Sequence, residues 1–75
     1  MSPLINFKSK TRVSIQKINE NSVIRKRLAG IGIVEKIEAE ILHSSHRHSL
    51  ILIKIGNRRI ALRRKTGQNI LVKRI

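Results

Sequence analysis

Leu50-Ile51-Leu52-Ile53-Lys54-Ile55-Gly56-Asn57-Arg58-Arg59-Ile60-Ala61-Leu62 is the stretch that decides the fold class. Its first six residues are aliphatic apart from Lys54 and read as the clearest strand of the chain. Gly56-Asn57 then matches the two-residue hairpin signal, because both residue types tolerate positive φ. The returning strand is Arg59–Leu62. A hairpin of this kind at the centre of an Ile-rich chain points to a mostly-β domain.

Working outward, the same two-residue period recurs on both sides. Arg12-Val13-Ser14-Ile15-Gln16 alternates polar and apolar, as a half-buried strand does. Ile37, Ala39 and Ile41 alternate with Lys36, Glu38 and Glu40 in a second strand with one wet face. Ile70-Leu71-Val72 forms a last strand, after a basic turn over Arg63–Gln68. One helix interrupts the series. Asn21 or Ser22 offers an N-cap, and Ile24, Leu28 and Ile31 follow at i, i+4 and i+7, giving a helix over about Val23–Ile31. Gly32 stands where a left-handed C-terminal cap falls. The segment His43–Ser49 is polar and reads as a loop. The expectation is one domain over residues 1–75: a small SH3-like barrel, closed or half-closed, of about five strands with one short helix, closure serving also to remove exposed strand edges.

Composition agrees. The chain has 75 residues, and a domain of that size buries only about 60% of its unfolded surface, so its core must be densely apolar. Fourteen Ile, seven Leu and four Val supply that core, while Phe7 is the single aromatic residue. β-Branched side chains favour the pleated sheet. There is no cysteine, which excludes disulfides and thiolate metal sites. Met1-Ser2-Pro3-Leu4 lacks the charged start and apolar run of a signal peptide. No apolar run approaches the ~20 residues of a membrane span, so the expected location is the cytoplasm.

Charge limits the partners. Seventeen Lys and Arg face four acids, for a net charge of +13. Such an excess attracts polyanions: nucleic acid, anionic lipid headgroups or an acidic protein face. Catalysis finds no support, because there is no Asp or Cys and the four Glu are scattered along the chain. Gly30-Ile31-Gly32 is not a phosphate-binding fingerprint, since the strand-turn-helix order is reversed.

The segment Arg25-Lys26-Arg27-Leu28-Ala29-Gly30-Ile31-Gly32-Ile33 resembles the signature of the ferrous iron transport protein A family (FeoA), with Arg-Leu, three residues, then Gly and an aliphatic residue. Ile60-Ala61-Leu62-Arg63-Arg64 and Ile70-Leu71-Val72 resemble its closing hairpin and last strand. The resemblance runs from about Leu4 to Val72. It implies an SH3-like barrel with a small helical insertion and no settled enzymatic activity. It implies a cytoplasmic accessory protein of ferrous iron uptake that binds and modulates the inner-membrane ferrous iron permease (FeoB-like). The implied partner is the permease's cytoplasmic domain, with peripheral contact to the anionic inner face of the membrane. No cofactor is implied. The same barrel recurs as a C-terminal domain of metal-dependent repressors. Two departures stand out: Lys36 occupies a position where the family usually has Gly, and His43–Ser49 replaces a Pro- and Gly-containing loop.

Candidate partner-binding residues are Arg25, Arg27, Arg58, Arg59, Arg63 and Arg64. Arg25 and Arg27 suit either partner contact or an ion pair within the protein. Arg58, Arg59, Arg63 and Arg64, with Lys65, cluster around one hairpin and suit either solvent or an acidic or phosphate-bearing partner. His43, His46 and His48 are candidate metal ligands, but Arg47 within the cluster opposes a cation, and a solvated loop accounts for them. The alternative function is a small basic nucleic-acid-binding barrel, which lacks the aromatic platforms of single-strand readers. Ile-rich edge strands also make weak self-association an expectation.

Overall fold

The computed structural model describes residues 1–45 and 47–75. Six strands form one antiparallel sheet in the order β1-β6-β2-β3-β4-β5. They are β1 (Ser2–Pro3), β2 (Thr11–Ile18), β3 (Glu38–Ser45), β4 (Leu50–Ile55), β5 (Arg58–Arg63) and β6 (Ile70–Arg74). Helix α1 (Ser22–Gly30) joins β2 to β3, and a one-turn helix α2 (Arg64–Gly67) joins β5 to β6. The sheet wraps around a core in which Val13, Ile15, Ile33, Ile41, Ile51, Ile53, Ile70 and Val72 are fully buried.

Two bulges make the wrapping possible. The β2–β6 register shifts between Ile15 and Lys17, so Val13, Ile15 and Ile18 all face the core although their numbering changes parity. The β3–β4 register shifts between Ile41 and His43, which turns Ser44 to the face of Ile51 and His43 to the outer face opposite Leu52.

Several expectations need correction. The chain makes six strands where about five were expected, because Ser2 and Pro3 pair with Val72 and Leu71. Proline is tolerated there since β1 lies at the edge of the sheet. β3 does not stop at Ile41: His43, Ser44 and Ser45 continue it, paired with Leu52, Ile51 and Leu50. Their polarity concealed a strand that its partner supplies. The basic turn at Arg63–Gln68 is a helical turn, α2. In the hairpin, Gly56 has φ +61° while Asn57 does not enter positive φ, as in a type II′ turn. Of the closed and half-closed forms expected, the half-closed one is found, because β5 pairs with β4 alone among the described residues.

α1 begins where Asn21 Oδ1 accepts the Ile24 amide at 2.9 Å. It ends in a Schellman turn: Ile33 N–H donates to Leu28 O at 2.8 Å and Gly32 N–H to Ala29 O at 3.0 Å. Gly32 takes φ +94° there, a conformation that disfavours a side chain. Leu28 and Ile33 are buried together against the sheet, whereas Ile31 lies outside at 37% exposure. The third apolar contact thus comes from Ile33, beyond the turn. Lys36, at the position where FeoA sequences usually have Gly, adopts φ +69°. Its amide donates to Ile15 O at 2.6 Å, which ties this strained turn to β2.

Candidate partner-binding surface

The six candidate arginines occupy three places. Arg25 is used inside the protein. Its Nη1 donates to Ile18 O at 2.8 Å and its Nη2 lies 3.9 Å from Glu35, so one guanidinium joins α1 to the end of β2 and to the following loop. Arg27 is exposed in the last turn of α1, where a cation complements the helix dipole.

Arg58, Arg59 and Arg63 belong to β5, whose burial alternates strictly after Arg58. Ile60 and Leu62 face the core, while Arg59, Ala61 and Arg63 face out. Arg58 reaches the C-terminal turn of α1, with Nη1 3.5 Å from where a Gly32 Cβ would lie. Arg64 starts α2, and its Nη1 donates to Ser44 Oγ at 2.7 Å. That bond depends on the β3 bulge that turned Ser44 inward. Gly67 closes α2 so tightly against the core that a Cβ there would meet Ile51 Cδ1 at 2.9 Å and Ile5 Cγ2 at 3.1 Å.

Arg63, Arg64, Lys65 and His48 surround a surface groove of about 690 Å³ whose apolar wall is Ile5 and Leu50. Leu50 is 41% exposed and sits directly opposite Arg63. Among the described residues no acidic group forms a salt bridge with Arg58, Arg59, Arg63, Arg64 or Lys65. The acids lie elsewhere. Glu38 pairs with Arg12 at 3.5 Å, Glu35 faces Arg25, and Glu40 lies between Arg12 and Lys54 across the sheet.

Sequence reasoning named the cations but missed what organises them. The Lys54–Arg59 and Leu50–Arg63 pairings follow from counting outward from the two-residue turn and could have been written down in advance. Ile5, Gly67 and the Ser44 bond could not, because they depend on contacts between distant segments. His43 and His48 do not join a metal cluster among the described residues. His43 lies on the outer face of β3, and the His48 amide donates to Ser45 Oγ at 3.2 Å; His46 lies outside the described residues. Phe7, the single aromatic residue, packs half-buried against the core.

A six-stranded bent antiparallel sheet with a short inserted helix is a small SH3-like domain. The comparisons carry this to a family: a family model for the FeoA domain matches residues 2–74. A Helicobacter pylori (strain J99) chain described as an Fe(2+) transport protein A is 32% identical, over 89% of this chain and 86% of its own length. The chain belongs to the FeoA family. The solution structure of iron(II) transport protein A from Clostridium thermocellum superposes with a TM-score of 0.88 at 27% identity, covering 97% of this chain and 45% of that one. The crystal structure of ScaR with bound Zn2+ superposes with a TM-score of 0.90 at 19% identity, covering all of this chain and 37% of that one. This last likeness is one of fold.

Proposed function

We propose that this protein is a non-catalytic accessory of ferrous iron uptake, which docks on the cytoplasmic face of a ferrous iron permease and modulates it. Membership of the FeoA family supplies the context. The observation that carries the docking surface is the acid-free cluster of Arg58, Arg59, Arg63, Arg64 and Lys65 on β5 and α2. Cations without an internal partner repel one another, and an acidic surface relieves that repulsion. The same cluster would favour residence beside an anionic leaflet, at roughly 1 kcal/mol per well-placed cation. Of the named arginines, Arg59 and Arg63 are the contact residues, because Arg25 and Arg64 already hold the fold. A cytoplasmic location accords with this role; among the described residues no helix is long and apolar enough to cross a membrane.

The test is titration of the purified protein with the permease's soluble cytoplasmic domain near physiological ionic strength, about 0.15 M. Duplex DNA and structured RNA serve as parallel titrants. Saturable binding to the domain, lost in the Arg59→Glu, Arg63→Glu double variant, is the expected result. Binding to nucleic acid alone, falling steeply with salt, would overturn the proposal in favour of a nucleic-acid-binding role. The half-buried Phe7 speaks against single-strand stacking in that role.

A further inference from the structure

We infer that the free edge of β5 takes up an extended acidic peptide segment as an additional strand. This names the chemistry of the docking partner proposed above and rests on that reading.

The hairpin geometry determines which backbone groups are on offer. In a two-residue hairpin the residues flanking the turn form a hydrogen-bonded pair, and bonded and non-bonded pairs then alternate. The β4–β5 register runs without a shift from Ile55↔Arg58 to Leu50↔Arg63. The bonded pairs are therefore Ile55/Arg58, Ile53/Ile60 and Ile51/Leu62. The N–H and C=O groups of Arg59, Ala61 and Arg63 consequently point away from β4, off the edge of the sheet. Among the described residues no other strand pairs with β5, and no backbone hydrogen bond outside the sheet ladders involves these three residues. The edge offers three donors and two free acceptors over about 14 Å, at roughly 3.4 Å per residue; the Arg63 carbonyl stands at the N-cap of α2, where it is turned to the helix.

The side chains of the same residues are exposed and ordered as cation, methyl, cation. An incoming antiparallel strand would place acids opposite Arg59 and Arg63, four residues apart on one face, with a small residue between them opposite Ala61. Beyond Arg63 the groove walled by Ile5 and Leu50 would receive an apolar side chain. Other occupants fit less well. A second copy pairing antiparallel about Ala61 would set Arg59 against Arg63 of its partner twice over, and like charges directly opposed are destabilising. A DNA backbone offers acceptors only, so the edge carbonyls would face phosphate oxygens. A peptide backbone matches both donors and acceptors.

The test uses peptides alone, so its outcome is separate from the permease titration. A labelled peptide designed to pair antiparallel, acetyl-Leu-Thr-Glu-Thr-Ala-Thr-Glu-Val-Thr-amide, which sets its first Glu opposite Arg63 and its Leu beyond it at the groove, is titrated by fluorescence anisotropy. It is compared with the same peptide N-methylated at both Glu and at Ala, which keeps the charge and removes the edge donors. Saturable binding of the parent, weakened about tenfold or more by N-methylation, is expected. Ala61→Pro removes an outward N–H without touching a β4 bond or a charge, and it should weaken the parent peptide by a similar factor. Equal affinity for the two peptides, absence of binding, or undiminished binding to a folded Ala61→Pro variant would overturn the inference. Should Ala61→Pro fail to fold, Arg59→Glu with Arg63→Glu takes its place: a loss of about tenfold or more is expected, and unchanged affinity overturns the inference. A duplex oligonucleotide that displaces the parent peptide at lower concentration than unlabelled peptide does would also overturn it.

Discussion

The outer face of β2 and β3 and the end formed by β5 and α2 are built from the same kinds of side chain, arranged in opposite ways. On the first, Arg12 pairs with Glu38, and Glu40 separates Arg12 from Lys54. On the second, five cations meet no acid among the described residues. The chain has only four acids, and three of them stand beside a cation on β2, α1 or β4. A uniformly basic protein would spread its acids through its surface. Here charge is compensated within the protein around β2, β3 and α1, and among the described residues it stands uncompensated on β5 and α2.

That contrast can be broken from the exposed side first. Gly67→Val would push α2 off its seat on Ile5 and Ile51 and carry Arg64 and Lys65 with it. The expected cost is about 2 kcal/mol by overpacking, read as a lower denaturant midpoint with weakened partner binding. Arg25→Ala tests the claim that this arginine is structural. It removes the bond to Ile18 O and should cost about 1 kcal/mol, leaving peptide and permease binding unchanged. A binding loss without a stability loss would move Arg25 to the docking surface. Lys36→Gly relieves a left-handed residue outside both regions. It should raise stability by about 0.5 kcal/mol, the strain removed exceeding the unfolded-state entropy that Gly adds. Arg12→Ala should change least, within ~0.5 kcal/mol by thermal or chemical unfolding, because its pair with Glu38 is exposed. A larger effect would show that the balanced face contributes to stability as well as to solvation.

Local signals carried much of the fold. The Gly56-Asn57 turn, the alternation through Val13 and Ile15, and the Asn21 cap each lie within one short window, and all three formed as read. The left-handed Gly at the end of α1 was legible for the same reason; Lys36, read with the second strand, instead stands in a left-handed turn before β3 begins at Glu38. What escaped depends on distant partners. β1 exists because β6 offers an edge to Ser2 and Pro3, and the polar end of β3 exists because Leu50–Leu52 pairs with it. Of the closed and half-closed barrels that the sequence allowed, the structure is the half-closed one, open at β5, whose exposed edge carries Arg59 and Arg63 as its guard. For the site, the cations could be named one by one, but their division into internal ties and outward contacts required Ser44, Ile18 and Glu35 to be brought to them.

α1 is fastened to the sheet by one fully packed side chain, Leu28, with Ile24 partly covered and Arg25 acting as a tether. A segment held so lightly opens on its own, without waiting for the sheet. Its amides are expected to exchange with solvent deuterium well ahead of those of β2 and β4, by a route insensitive to mild denaturant. Matching exchange rates in α1 and β2 would show that the helix and sheet open together. Separate rates would make α1 an independently opening lobe, free to change its hold on the sheet while β5 remains in place for a partner.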